Sequence, residues 1–257
     1  MLLPQAILLA LLQPAPVIQQ PTAGPRVTLV RAAAPESAFP ASAAEAATEG
    51  AADAEAALRS AWDRGEGATA MRALVEATAA SERAQSAAAA AARSTDGWPG
   101  LWVARIEHFE KVRGLGLRVR PHYDLRADAR EGRAAIVSHV HVALGPLRGW
   151  LSASGAMAPA SVSNVRLVFD DFWISADTPT PRPAPPDGPT ADMSESVVDR
   201  LTRVVGRAAF FESLGTFPVD YADLDRGLVS FRFPPLNSCI VAQRAPDGEP
   251  PRRVTDL

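Results

Sequence analysis

The chain is poor in the residues from which many stabilising and catalytic sites are built. Its 257 residues include one cysteine, Cys239, which excludes an internal disulfide framework and any CxxC metal or redox site. Lys111 is the only lysine, and there are four histidines and two tyrosines. No apolar run reaches roughly 18 residues, so the sequence holds no membrane-spanning helix. GxSxG, GxGxxG, Walker and HExxH sequences are all absent, and the enzyme templates built on them fail. The net charge of −3 supplies no electrostatic reason to expect a nucleic-acid partner. What the chain has instead is alanine, 23 prolines and 17 glycines, a composition of helices, turns and loops.

Residues 1–40 read as an address. Met1–Val17 holds a short apolar stretch from Ala6 to Leu12, the length of a secretory signal rather than of a membrane span. Small residues follow at Thr22-Ala23-Gly24. The next stretch sets Arg26 and Arg31 against Glu36 alone, among alanines and serines, which is transit-peptide chemistry. A signal followed by a transit-like segment resembles the bipartite leader of algae whose plastids lie inside extra membranes. It implies a plastid protein, at the thylakoid or plastoglobule.

Residues 41–97 are alanine-rich with scattered charge. Two helices are expected, about Ala51–Trp62 and Thr69–Ala92, the second with Met71, Leu74, Val75 and Thr78 on one face. Alanine favours the helix but offers little apolar area to bury, so the pair should cover another core rather than form its own. At Trp98 the pattern changes to short β-type segments divided by turn residues. These are Leu101–Phe109, Leu117–Leu125, Arg133–Ala143, Leu147–Met157, Val165–Ser175, Phe217–Tyr221 and Leu228–Arg244, the last broken at Pro234-Pro235. Strands this close together suggest an antiparallel barrel or sandwich spanning residues 98–244. Two interruptions stand inside it: a proline-rich loop at 178–189, and a helix at about 192–207 with Asp192 as N-cap and Val197, Val198, Leu201 and Val204 as its apolar stripe. Residues 245–257 read as a disordered tail.

Few residues could carry chemistry. His139 and His141 share one face of a strand by its two-residue period, but no spacing supplies the further ligands a metal needs; no metal or cofactor is expected. Asp170 and Asp171 are adjacent, so they should point to opposite faces and cannot act as a dyad. Cys239 lacks a nearby histidine and reads as a buried, inert thiol. The remaining feature is aromatic and apolar content on alternating strands. This builds either a packed core or an apolar pocket with polar handles such as His139, His141, Arg166 and Asp170. Trp150 and Phe169, with His139, are the expected lumen residues.

Gly100-Leu101-Trp102 at the start of the first strand resembles the Gly-x-Trp opening of lipocalin-type barrels. In those barrels an arginine near the end of the last strand covers that tryptophan, and Arg244 stands where such an arginine should be. The order of parts resembles the plastid lipid-associated, or fibrillin, family more specifically. The parts are the leader, the helical pair, the GLW, LGPLRGWLSASG (residues 144–155), VFDDFWIS (168–175) and the closing FPVDYADLDRGLVSFRFPPL (217–236). The resemblance implies a mainly β fold: a lipocalin-like antiparallel barrel preceded by two helices, with one helix inserted late. Gly100, Trp102 and Arg244 would close it. It also implies a non-enzymatic protein that binds a hydrophobic small molecule (fatty acid, prenylquinone or carotenoid class) or a lipid surface. A filled barrel acting as a scaffold of lipid particles, and a lipocalin-fold isomerase or lyase acting on a pigment, are the other readings.

Overall fold

The structure is a computed structural model that describes residues 41–128, 132–176, 178–179 and 215–253. The leader, most of the proline-rich loop and the late helix lie outside the described residues. Among the described residues three helices, not two, precede the barrel: α1 (Ala41–Asp63), α2 (Ala68–Ala79) and α3 (Glu82–Arg93). The expected long second helix is divided at Ser81. Its hydroxyl accepts the Ala84 N–H at 3.2 Å and donates to the Thr78 carbonyl at 3.0 Å, ending one helix and capping the next.

Eight strands follow: β1 (Gly100–Ile106), β2 (Leu117–Ala127), β3 (Ala134–Leu144), β4 (Leu147–Ser161), β5 (Asn164–Ser175), β6 (Thr216–Asp223), β7 (Leu228–Phe233) and β8 (Ser238–Arg244). They form a closed barrel in sequence order, every neighbouring pair antiparallel. The ring closes where β8 pairs with β1 from Trp102↔Arg244 to Ile106↔Ile240. The ring is narrowest in pairing where β5 meets β6, from Asn164↔Pro218 to Arg166↔Thr216. The expected first strand is cut short at Ile106 by a one-turn helix, α4 (Glu107–Lys111).

Alternation sorts the side chains. Trp102, Ala104, Leu125, Ile136, Met157, Val165, Val219, Val229, Ile240 and Ala242 meet in one buried cluster drawn from all eight strands, which identifies the inner face. The floor is sealed from below by α3, whose Ala88, Ala91 and Ala92 join the same cluster. Their small side chains let the helix lie close under the barrel. Trp98 donates from Nε1 to the Ala91 carbonyl at 3.0 Å, and Trp102 from Nε1 to the Trp98 carbonyl at 2.8 Å. Arg244 covers the Trp102 ring, Cζ 4.8 Å from its centre, and donates to the Gly97 carbonyl.

A second cluster lies outside the barrel. Leu58, Ala61 and Trp62 of α1, with Met71 and Val75 of α2, cover Tyr221, Leu228, Cys239 and Val241 on the outer face of β6–β8. Two acids of α4 hold this cover in place. Glu110 accepts the first N–H groups of α2, from Ala68 and Thr69, where the helix dipole favours a negative charge. Glu107, buried, accepts from Arg72 at 3.1 Å, Lys111 at 2.8 Å and the Cys239 N–H at 3.0 Å. Those donors hold its carboxyl below the ordinary range although burial alone would raise it.

The tail is not loose as far as Arg253. Ala245 N–H bonds the Leu101 carbonyl at 2.7 Å, the Arg252 N–H bonds His122 Nε2 at 3.2 Å, and Arg120 reaches the Arg253 carbonyl at 3.2 Å. The expectation of disorder fails because these backbone groups find partners on β1 and β2. A proline-rich segment needs few of its own.

Candidate functional site

The interior is graded along the barrel axis. Around the floor, Trp102, Leu125, Ile136, Met157, Val165 and Val229 are almost wholly buried. Toward the other end, inward-facing Val119, Val140, Leu151 and Ile174 are half-buried, while Leu117 and Val142 beside them are buried. The cross-strand pairs Pro121↔Val140, Val140↔Leu151 and Leu151↔Ile174 place these residues on the same face as Trp102 and Tyr123. The inner face is therefore apolar, sealed at the floor and partly uncovered at Val140, Leu151 and Ile174 toward the other end.

Of the expected lumen residues, Phe169 faces inward, beside Phe172 with ring centres 6.3 Å apart. Trp150, His139 and His141 do not. Their register partners are Arg120↔His141, His122↔His139, His141↔Trp150 and His139↔Ser152, all on the face that carries exposed Arg118, Arg126 and Arg148. Arg166 is exposed on that outer face too, as is Asp170. Their assignment to the lumen is corrected on a simple ground. Alternation tells which residues share a face, but not which face turns inward; that depends on closure around Trp102.

Asp170 and Asp171 depart from strict alternation as well. A bulge between Ser154 and Gly155 pairs Ser154 with Asp171 and Gly155 with Phe169, leaving Asp170 as the extra residue. Ser154 Oγ donates to Asp170 at 3.3 Å, so both carboxylates stand on the outer side, between two inward phenylalanines. Gly155 permits this: a Cβ there would lie 1.9 Å from the Val168 carbonyl oxygen. Asp170 and the histidines thus do not converge in the lumen, the arrangement an isomerase or lyase reading requires.

The outer histidines form a buried cluster of their own. His141 meets the Trp150 edge at 4.8 Å between ring centres and His122 meets it at 6.0 Å; His139 Nδ1 bonds Ser152 Oγ at 2.9 Å. Burial, with nearby arginines adding to it for His122 and His141, pushes those two down to about 4 and lowers His139. All three are neutral at pH 7. Among the described residues no group of three or more histidines, cysteines or acids is placed to hold a metal ion. Cys239 is buried under the helical cover, and burial raises its thiol to about 11, which leaves it unreactive at neutral pH.

Two lumen residues escape a reading of the sequence. Tyr123 and Ser138 are cross-strand partners on the inner face, in the row Trp102, Tyr123, Ser138, Ala153, Phe172. Only the register, set by Trp102↔Tyr123, could have found them. Among the described helices none is long and apolar enough to cross a membrane.

Strand order, closure and packing together define a closed eight-stranded antiparallel barrel of lipocalin-like architecture, with helices before it covering one flank and the floor. Comparison with family models, curated proteins and solved structures finds no match.

Proposed function

We propose that the chain is a non-catalytic carrier of a hydrophobic small molecule, held in the upper half of the barrel. The observation that carries this reading is the contrast between the sealed Trp102 floor and the half-buried inward side chains of Val140, Leu151 and Ile174. An apolar ligand gains roughly 25 cal/mol for each Å² taken from water, and these half-buried side chains offer that area without unfolding anything. The order of sequence parts supports placing the protein among plastid lipid-associated proteins of the fibrillin type. The composition of residues 1–40 supports delivery to a plastid.

Titration of the full chain with Nile red, a neutral dye that brightens in apolar surroundings, tests the reading. Saturable binding is expected, and Leu151→Trp or Val140→Trp, which would fill that end of the barrel, should abolish it while the fold stays intact by circular dichroism. Binding that ignores both substitutions would overturn it. Liposome co-sedimentation with no dye uptake would favour the lipid-particle scaffold instead. A fusion of residues 1–40 to a fluorescent reporter that stays outside plastids would remove the location.

A further inference from the structure

The end of the barrel away from Trp102 is basic and apolar at once. Two turns meet there: a 3-10 turn, Arg113–Leu115, that leads into β2, and Gly145-Pro146, which joins β3 to β4. The pairs Leu117↔Leu144 and Leu144↔Leu147 set them side by side. The first turn is braced by its own backbone. The Leu115 N–H bonds the Val112 carbonyl at 3.0 Å, and the Gly116 N–H bonds the Arg113 carbonyl at 2.9 Å. Gly116, at a φ of +80°, then returns the chain to the sheet. This braced turn holds Leu115 79% exposed, the most exposed large apolar side chain among the described residues.

Arginines surround that leucine. Arg113 shares its turn, while Arg118 and Arg148 stand in one outward row on either side of Ala143. All three are exposed, and none has a hydrogen bond or ion pair among the described residues. Carboxylates are missing from the same place. The whole chain is net acidic, yet residues 111–123 and 132–169 contain neither aspartate nor glutamate. The two acids of neighbouring α4 are already engaged, Glu107 by Arg72, Lys111 and the Cys239 N–H, and Glu110 by the start of α2. Asp124, Asp223 and Asp225 lie at or beyond the opposite, Trp102 end. Positive charge is therefore gathered at one end of the axis, around an exposed leucine.

We infer that this end of the barrel docks on an anionic lipid surface, with Leu115 entering the headgroup layer and Arg113, Arg118 and Arg148 meeting its phosphates. Apolar side chains flanked by cations bind such a surface through both burial and charge. A nucleic acid or an acidic protein would attract the arginines but would offer Leu115 no apolar layer to enter. The inference goes beyond the carrier reading and does not rest on it, since it concerns the outside of the barrel.

Co-sedimentation of the full chain with phosphatidylcholine vesicles, with and without phosphatidylglycerol, tests it. Binding is expected only where phosphatidylglycerol is present, and should weaken as salt is raised. Arg113→Gln, Arg118→Gln and Arg148→Gln should each weaken it about fivefold, and the three together should abolish it. Leu115→Ser, which leaves the charge unchanged, should weaken it at least threefold. Arg226→Gln, at the opposite end, should leave it unaltered. All five side chains are exposed, and circular dichroism checks that the variants fold. Equal sedimentation with neutral vesicles, or binding unmoved by the triple variant, overturns the inference. So does an affinity indifferent to Leu115→Ser; if a DNA oligonucleotide also competes, the partner is a nucleic acid. Uptake of Nile red is read separately, so its failure removes the carrier and leaves the docking surface in place.

Discussion

Arg244 and Trp102 are register partners at the seam where β8 meets β1, and the guanidinium carbon sits 4.8 Å from the centre of the indole ring. One pair thus closes the ring of strands and seals the floor. Gly100 makes room for it: a Cβ there would meet the Arg244 side chain at 3.2 Å, and its φ of +134° suits glycine.

Removal of the pair should cost more on the tryptophan side. Trp102→Ala leaves a void in the floor and should destabilise by about 3–5 kcal/mol. Arg244→Leu keeps the apolar cover and should cost about 1–2 kcal/mol, the scale of a cation–π contact. Urea unfolding followed by tryptophan fluorescence checks the order; equal losses would mean the arginine does more than cover the ring.

The bulge in β5 should be intolerant of a single methyl group. Gly155→Ala places a Cβ 1.9 Å from the Val168 oxygen and should destabilise by about 3 kcal/mol, an overpacking cost with backbone on both sides. Gly114→Ala, where nothing lies within 4 Å, serves as the control. Similar unfolding midpoints for the two variants would refute the account of the bulge.

Glu107 ties α2, α4 and β8 through Arg72, Lys111 and the Cys239 N–H. Glu107→Gln leaves the buried Cys239 N–H and the partly exposed Arg72 and Lys111 without a charged acceptor and should cost about 1–2 kcal/mol. In a double-mutant cycle with Arg72→Met the two losses should fall well short of additive. Strict additivity would place Arg72 outside the latch.

Stability should fall as the solution is acidified below neutrality. His122 and His141 have an ordinary pKa of 6.5 but are held at about 4 in the fold. Between those values the unfolded chain binds protons that the folded chain does not. Each histidine then removes up to about 1.4 kcal/mol per pH unit, a loss that begins below 6.5 and is complete below about 4. Glu107, whose pKa is lowered, adds its own loss only at more acid pH, as its carboxylate is protonated. Urea midpoints at pH 7.5, 6 and 5 should therefore decline, and less steeply in the His122→Gln, His141→Gln variant. A flat profile between pH 7 and 5 would contradict the burial of these rings.

Cys239 should resist alkylation in the folded protein at pH 8, since burial raises its thiol to about 11, and react once urea exposes it. Labelling followed by mass spectrometry distinguishes the two.

Much of the fold was legible before any coordinates. Period-2 runs broken by turn residues marked all the strands, Pro234-Pro235 marked the break between β7 and β8, and Gly100-Leu101-Trp102 with Arg244 indicated which ends should meet. Those signals are local, set by backbone sterics and side-chain alternation within a few residues. The split of the second helix at Ser81 was also present locally, but alanine's helix preference hid it.

Which face of each strand turned inward was decided only by closure. His139, His141 and Trp150 carry the same alternation whether they line the inside of the barrel or its outside. Packing of Trp102 against α3, and the bulge that Gly155 permits, settled the matter together. The same closure brought Tyr123 and Ser138 side by side. Residues on separate strands become neighbours through register, and register is a property of the whole ring rather than of any segment within it.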